Sequence, residues 1–534
     1  MKEFFNNKKI LIVVPHQDDE INVASGLLSL DIDKKNIFVV YTTNGDFSIN
    51  ADIRYKEAIN SLKCFGVKRD NIIFLGYSDQ SYSQDTHIYT SNNNWISNKG
   101  IIKTYGAFGI KEWCYQKQFI HNIFNKNNLY KDLLSVIEEI MPDIVVGVDL
   151  DFHPDHIMTS LLLEKAIGEL LHTYLDYHPI VLKTFAYENS YFGVDDFNAL
   201  NEYGMHFDIM KNGILSNNPY YDDKNSLKFS LPYKAKCLNL TKNIVFKAIK
   251  KHTSQLLVLH SFQMINSNNV YWVRCTDNLL NRAKIKVSSG DASLLNDFML
   301  ADTKNILHGD QKPIFYNYGI WIPNKDDFSK MIEIKFESKE YVECMKLYSG
   351  RLMKQKIKRI KLILDGVSCE YSLNNYFVDV IEINKSVLEI SIQILDEQVE
   401  NGFSEIELLR EENILTKVFK VNIDNTWSNN FICLNKKQEK YKLFLISNYS
   451  DCFDVKCENL KNGFVKDNSI FLSKKTTGYI DVYDCFNNYK ERIYINKNVL
   501  LRKFTMFFNK VYIFFEILNC KIKRKLTRIL DRKL

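Results

Sequence analysis

Hydrophobic and polar positions fall into two textures along the chain. Up to about residue 283, short runs rich in β-branched residues alternate with longer stretches whose apolar positions recur every three or four residues. The runs predict strands over 10–14, 37–42, 72–75 and 144–148, and the longer periods predict helices over 23–30, 55–65, 133–140 and about 158–171. Strands separated by helices indicate an α/β unit with a Rossmann-like, mostly parallel sheet covered by helices on both faces. Such sheets bind ligands beyond the carboxyl ends of their strands, so functional residues are expected just after positions 14, 42, 75 and 148.

Beyond 283 the period shortens to two: Ile332, Ile334 and Phe336; Ile360, Leu362 and Leu364; Val378 and Val380; Leu388, Ile390, Ile392 and Ile394; Ile406 and Leu408. This alternation predicts a β-sandwich over 284–418. Further strands at 441–446, 453–457, 479–483 and 492–495 predict a second, small Ig-like β domain over 419–496. The tail, 497–534, returns to helical spacing through Phe504, Phe507, Phe508, Val511, Phe514, Phe515, Leu518, Ile522, Leu526 and Ile529. With the α/β unit at 8–283, these parts make four regions, in keeping with 534 residues at about 150 per domain.

Charge changes the picture only when it is located. The chain carries 70 basic and 64 acidic residues, a formal net of +6. Residues 497–534 hold eleven Lys/Arg against Glu516 and Asp531, leaving 59 basic and 62 acidic groups for the rest, so the body is slightly acidic. A basic amphipathic helix suits an interfacial position on the inner membrane face; a helix docked on the protein itself is the other reading. Nucleic-acid binding is not expected from an acidic body whose basic tail matches no recognised module. The apolar run at 10–14 is too short for a signal-peptide core, and no window approaches the roughly 18 apolar residues of a membrane-spanning helix. Eleven cysteines without a CxxC pair fit reduced thiols better than a disulfide framework, which points to a cytoplasmic protein.

The chemistry concentrates at two predicted strand ends. Pro15, His16, Gln17, Asp18, Asp19 and Glu20 follow the first strand, and His153, Pro154, Asp155 and His156 follow the 144–148 strand. Imidazoles with one carboxylate make a three-ligand set that leaves a metal position open for water. Adjacent Asp18 and Asp19 cannot point the same way, so one can bind metal while the other serves as a base. Alternatively, His and Asp after a strand merely cap a helix and line its first turn. No GxGxxG or GxxxxGK(S/T) follows any strand, which excludes dinucleotide and P-loop readings.

Both motifs resemble those of the PIG-L/LmbE-like superfamily of zinc-dependent N-deacetylases, whose first motif reads (A/P)HPDDE and whose second reads HPDH. The resemblance covers about residues 8–283. Weaker likeness lies in Thr43, Asn44, Gly45 and Asp46, in Arg54 and Glu57, in Leu75, Gly76, Tyr77 and Asp79, and in segments at 252–255 and 274–277. It implies that His16, Asp19 and His156 bind Zn2+ or, in a His2Asp site, Fe2+. Asp18 is then the general base and His153 the group that stabilises the oxyanion or protonates the leaving amine. Asp155 would orient His153 and raise its pKa, while Arg54 and Asp79 would contact substrate. Two positions depart from the pattern. Gln17 replaces a proline of the metal loop, and Asp151 stands where some relatives have a tyrosine.

The 284–418 stretch resembles galactose-binding-like, discoidin-type modules through Ile285 to Gly290, Asp297 to Asp302, 332–336 and 402–406. The implied function is a metal-dependent hydrolase that removes the N-acetyl group from an N-acetylglucosamine-type sugar or glycoconjugate in polysaccharide or glycolipid biosynthesis. A non-catalytic glycan-binding scaffold with an inactive deacetylase domain is the alternative, and a metal-dependent amide hydrolase acting on a non-sugar conjugate is a third. His87, His121, His172, His178, His206, His260 and His308 have no informative spacing and are assigned core or surface roles.

Overall fold

The computed structural model describes residues 2–79 and 87–186 (apart from 90, 92 and 150–152) and residues 226–300 (apart from 238, 266–267 and 275). It also describes 320–531, apart from 350–356, 375–377, 398, 400, 411–418, 424–425, 428–430, 434–438, 448–451, 485–489 and 497–498. Asp151, Asp302, His206 and His308 lie outside these residues. The α/β unit runs α1 (Lys2–Phe5), β1 (Ile10–Val14), α2 (Asp19–Ser29), β2 (Ile37–Thr43), α3 (Ala51–Phe65), β3 (Ile72–Tyr77), α4 (Trp113–Gln118), α5 (Lys126–Ile140), β4 (Ile144–Val148), α6 (Pro154–Thr173), β5 (Ile180–Thr184) and β6 (Ser226–Ser230). It continues through α7 (Tyr233–Lys236), α8 (Ile244–Ile249), α9 (Ser261–Met264) and β7 (Asn268–Arg274).

Its seven strands are ordered β3-β2-β1-β4-β5-β7-β6. The first five pair in parallel, and β7 pairs antiparallel with both β5 and β6. Both faces are covered. Ile10, Ile12 and Val14 of β1 enter one apolar cluster, while Leu11 and Val13 enter the other. Strand order reverses at β1, so the ends of β1 and β4 flank the switch point where a doubly wound sheet leaves its crevice.

Each predicted helix of this unit begins four to seven residues earlier than its apolar periodicity indicates. The first turns are polar because unpaired N–H groups there need caps and acceptors. The Asn50 side chain accepts from Asp52 N–H, Asn125 from Asn128 N–H, and His153 from Asp155 N–H. Asp19 and Glu20 fill the first turn of α2. The two histidine motifs therefore run into helix N-termini: α2 starts at Asp19, after His16, and His153 is the N-cap of α6.

The following region is a six-stranded antiparallel sheet: β8 (Lys284–Val287), β9 (Met331–Ser349), β10 (Arg359–Leu364), β11 (Val367–Ser372), β12 (Val378–Ile394) and β13 (Phe403–Leu409). The alternation holds at Ile332, Ile334, Phe336, Ile360 and Leu362, which are all buried. It fails at Val380, which is exposed while Ile381 is buried, on a strand with register shifts after Glu382 and Val387. Strand β13 is buried on both faces, and residues 274 and 278 from the end of the α/β unit meet it. Asn278 acts there as a strand partner, donating to Ile406 O at 2.8 Å and accepting from Leu408 N–H at 2.9 Å. Arg274 donates to Phe298 O at 3.2 Å and lies 3.8 Å from both Glu164 and Glu407. Gly168 of α6 makes the approach possible, since a Cβ there would sit 2.1 Å from Asp297 O.

A third set of strands, β14 (Phe419–Ile423), β15 (Thr426–Trp427), β16 (Phe431–Cys433), β17 (Lys440–Ser447), β18 (Phe453–Lys456), β19 (Leu460–Lys466), β20 (Ser469–Asp484) and β21 (Lys490–Asn496), forms an eight-stranded sheet. Cys452 is disulfide-bonded, a departure from the expectation of reduced thiols, whereas Cys64, Cys114, Cys237, Cys344, Cys369, Cys457 and Cys520 are free. The tail forms one helix, α10 (Val499–Asp531). No described helix is long and apolar enough to cross a membrane.

The interface between the α/β unit and the first β-sheet buries unneutralised acid. Burial pushes the Asp297 carboxyl from its ordinary 3.8 up to about 7, and Glu164 adds to the rise. A carboxyl with a raised folded pKa contributes stability that is complete below the unfolded value and lost as pH rises through the folded one. Asp297→Asn stays neutral, so its melting temperature should gain on the wild type as pH rises from 3.8 through 7. Parallel melting curves for the two proteins across that range would refute this.

Candidate metal centre

The end of β1 leads into α2 and the start of α6 lies beyond the end of β4, which brings His16, Asp19, His153, Asp155 and His156 into one buried crevice. His16 Nδ1 lies 3.1 Å from Asp19 Oδ2, His156 Nε2 lies 3.3 Å from the same oxygen, and the two nitrogens are 3.3 Å apart. Ligand bonds of about 2.0–2.2 Å at tetrahedral angles place ligand atoms roughly 3.3–3.6 Å from each other. The spacing of these three atoms and their borderline N/O chemistry therefore fit a divalent cation. His16, His153 and His156 also form a group whose ligand atoms could share an ion, as do His16, Asp79, His153 and Asp155. The His16 ring belongs to both sets, with one nitrogen turned to Asp19 and the other 3.0 Å from Asp155 and 3.4 Å from Asp79.

Electrostatics follow from burial. It lowers the His16 pKa, but Asp79, Asp155 and Asp19 around the ring raise it well above the usual histidine value. Burial, followed by the His16 and His156 charges, holds His153 well below that value. Asp155 raises the His153 pKa, as expected, but burial and the two neighbouring imidazoles outweigh it. The link from Asp155 to His153 is its backbone N–H, which donates to His153 Nδ1 at 3.1 Å. Its carboxylate reaches His16 at 3.0 Å and His87 at 2.8 Å and stands 4.0 Å from His153 Nδ1. Burial would raise the Asp155 carboxyl, yet bonds from His16 and His87 hold it well below the carboxylate range.

His87 belongs to the site, although its spacing in the sequence gives no hint of it. Its Nδ1 accepts from Tyr89 N–H at 3.2 Å, which puts the ring proton on Nε2 facing Asp155. Asp149, beside the altered position 151, turns to the buried Lys183 at 3.2 Å. Arg54 is buried and pairs with Asp18 at 3.1 Å, so in this structure its partner is the expected base. Asp79 sits against His16 and receives its own place from Asp46, which accepts from Asp79 N–H at 2.7 Å. Gln17 ties the first motif to β2 by donating to Thr43 O at 2.7 Å, supplying by hydrogen bonding a restraint that proline would supply by its ring. Gly45 (φ +59°) makes room for this arrangement, because a Cβ there would lie 2.2 Å from Gln17 Oε1 and 2.7 Å from Arg54 Nε. His252, from the 252–255 segment, bonds Glu20 at 2.7 Å.

These features define a mixed α/β protein whose buried His/Asp group, at the switch point of a mostly parallel sheet, could hold a metal ion. Residues 11–167, from β1 through most of α6, match the PIG-L family model, described as GlcNAc-PI de-N-acetylase. No curated protein matches the chain. Among solved structures, a Streptococcus pneumoniae fucose binding module, SpX-3, is 13% identical, with 25% of this chain and 98% of that chain covered and a TM-score of 0.21. A GH31 CBM32-2 bound to GalNAc is 17% identical, covering 24% and 99% at a TM-score of 0.17. The Clostridium perfringens module CpGH89CBM32-4, in complex with glcNAc-alpha-1,4-galactose, is 14% identical, covering 24% and 92% at a TM-score of 0.16.

Because His87 restrains Asp155, which in turn restrains His16, its loss should be felt in metal affinity. His87→Phe should weaken zinc binding by about 10–100-fold in a calorimetric titration, with His87→Gln, which keeps a donor, losing less. Unchanged affinity in His87→Phe would show that this ring has no part in holding the site.

Proposed function

We propose that the chain is a metal-dependent hydrolase that removes the N-acetyl group from an N-acetylglucosamine-type sugar or glycoconjugate. The observation that carries this reading is the convergence of His16, Asp19 and His156 at 3.1–3.3 Å inside a segment matching a de-N-acetylase family. These three side chains would hold the cation, zinc or iron(II). A divalent metal there supplies Lewis acidity to an amide carbonyl and makes water more acidic. Asp18, the least buried carboxylate of the first motif, takes the proton of the attacking water, and Arg54 fixes its direction. The neutral His153 ring, whose Nδ1 is occupied as an acceptor, offers Nε2–H to the oxygen that gains charge as the carbonyl becomes tetrahedral. Asp18 then passes its proton to the sugar nitrogen, and collapse breaks the C–N bond to release acetate and the free amine.

Acetate release from free, nucleotide-linked and lipid-linked N-acetylglucosamine tests this directly. Zinc-loaded protein should release acetate from at least one of these, a chelator should abolish it, and Asp18→Ala should slow it by about 10²–10⁴-fold. No release from protein holding one metal per chain would favour the glycan-binding scaffold instead.

We further propose that α10 rests in the interface of an anionic membrane. Its docked side is narrow: Ile513 and Cys520 are 5% and 3% exposed against the α/β core, and Glu516 pairs with Lys250 at 2.5 Å. On the opposite side Phe507, Phe515 and Ile522 are 62%, 60% and 52% exposed. Docking on the protein therefore accounts for the smaller apolar stripe and leaves the aromatic one for another partner. Lysines on its flanks suit acidic headgroups. Flotation with phosphatidylglycerol-containing vesicles should carry the protein, and Phe507→Ser with Phe515→Ser should reduce binding at least about tenfold. Equal flotation of both proteins would refute the placement.

A further inference from the structure

The helix opened by the second histidine motif carries a buried row that continues well past the metal crevice. His156, Ser160, Glu164 and Gly168 of α6 recur every four residues and form one ridge of that helix. The ridge spans about 18 Å along the axis at 1.5 Å per residue. Its first member, His156, faces Asp19 Oδ2 and His16 Nδ1 at 3.3 Å each. One turn on, Ser160 Oγ accepts from Lys183 Nζ at 2.6 Å. Glu164 pairs with the same ammonium and accepts from Leu300 N–H at 3.4 Å. Gly168 is the point where α6 meets the Asp297 carbonyl.

The groups that hold this ridge come from two neighbouring strands and from the antiparallel sheet. Val181 of β5 is the register partner of Arg274 of β7, and Lys183 lies two residues beyond Val181. Lys183 and Arg274 therefore project from one face of the sheet, the face that α6 covers. Lys183 also stands 3.2 Å from Asp149, just beyond the end of β4 on the segment leading to His153. Arg274 lies 3.8 Å from Glu164 and 3.8 Å from Glu407 of β13, with its guanidinium carbon 4.0 Å from the centre of the Phe298 ring. Glu407 accepts from the Tyr348 hydroxyl of β9 at 2.9 Å. Asp149, Lys183, Glu164, Arg274 and Glu407 are all buried and alternate in charge, so they run as one ionic chain from the motif's approach to β13. Removing one member leaves its neighbours buried and unbalanced, so the spacing of the set resists change. Metal–ligand distances tolerate only about 0.2 Å, and a small slide or turn of α6 is enough to weaken a site built on its first turn.

We propose that Lys183, Arg274 and Glu407 are positioning residues for the metal centre. Through Ser160 and Glu164 they fix the height and rotation of α6, and with them the place of His156. The antiparallel sheet is then a part of the centre and not a module joined beside it. The proposal rests on His156 holding the cation.

The test uses the full-length protein and reads zinc affinity by calorimetry, together with amide hydrogen exchange over 156–164 in the metal-free state. Glu407→Gln keeps the side-chain shape and an acceptor for Tyr348 but removes the charge facing Arg274, and Lys183→Met removes the central cation. Asn278→Ala is the control. It loosens the same contact with β13 by losing the bonds to Ile406 and Leu408, and those bonds involve no residue of α6.

Glu407→Gln should bind zinc about fivefold more weakly and exchange faster over 156–164, and Lys183→Met should lose more. Asn278→Ala should melt at a lower temperature while its zinc affinity and its exchange over 156–164 stay near wild type. Zinc affinity equal to wild type in Glu407→Gln overturns the proposal. Equal losses in Asn278→Ala overturn it too, since they would mean general loosening of the fold. Where Lys183→Met fails to fold, Glu407→Gln decides alone. Wild-type protein that takes up no zinc would sink the metal-centre reading itself. Faster exchange over 156–164 in Glu407→Gln would then still support the hold of the sheet on α6, and unchanged exchange would overturn it.

Discussion

The structure depends on burying several ionisable side chains at one end of an apolar sheet. A charged group removed from water costs several kcal/mol unless hydrogen bonds and opposite charges replace its solvation. Here the compensation is mutual. Asp19 and Asp155 are held as carboxylates by the imidazoles around them, and His16 is held by three carboxylates. Remove one member and its neighbours are left buried and unbalanced, so the group acts as a unit. That same unit presents converging donors to a cation, which would share the positive charge that the imidazoles alone supply.

Around this unit the fold supplies restraint rather than further chemistry. Gln17 fastens the first motif to β2, His87 holds Asp155, and His252 holds Glu20. The 252–254 segment ties α3 to the first motif, since Ser254 bonds Glu57 of α3 while His252 reaches Glu20. The β-sheet region is attached through Arg274, Asn278 and the close approach at Gly168, a buried polar contact instead of a flexible linker. The α10 helix divides its apolar residues between two sides, with Ile513 and Cys520 buried inward beside the partly buried Tyr512 and Ile517, and phenylalanines exposed outward.

How much of this was legible in the residues varies with the range of the interaction. Periodicity located β1, β2, β3 and β4 because an apolar run is a local signal, and the strand-end rule then placed both histidine motifs on one crevice. Helix starts were misplaced because first turns are polar for capping, which apolar periodicity does not register. His87 and Lys183 were missed because their partners, Asp155 and Asp149, are brought to them only by the sheet. Adjacency in HPDH pointed Asp155 to His153, which its backbone N–H reaches, but the nearer bonds of its carboxylate, to His16 and His87, join residues far apart in the chain and could not be read locally.

The sequence by itself determined the elements and the candidate donors: β-branched runs make strands, and His16, Asp19, His153 and His156 carry donor atoms wherever the chain places them. It also determined that the tail is a basic, aromatic helix. Tertiary structure alone decided which ligand faces which, that Arg54 pairs with Asp18, and that one stripe of α10 is consumed by docking while the other remains exposed. The physical reason is distance along the chain. Helix and strand formation depend on residues a few positions apart, whereas desolvation, ion pairing and cavity shape depend on side chains more than a hundred residues apart that meet only after the sheet has formed.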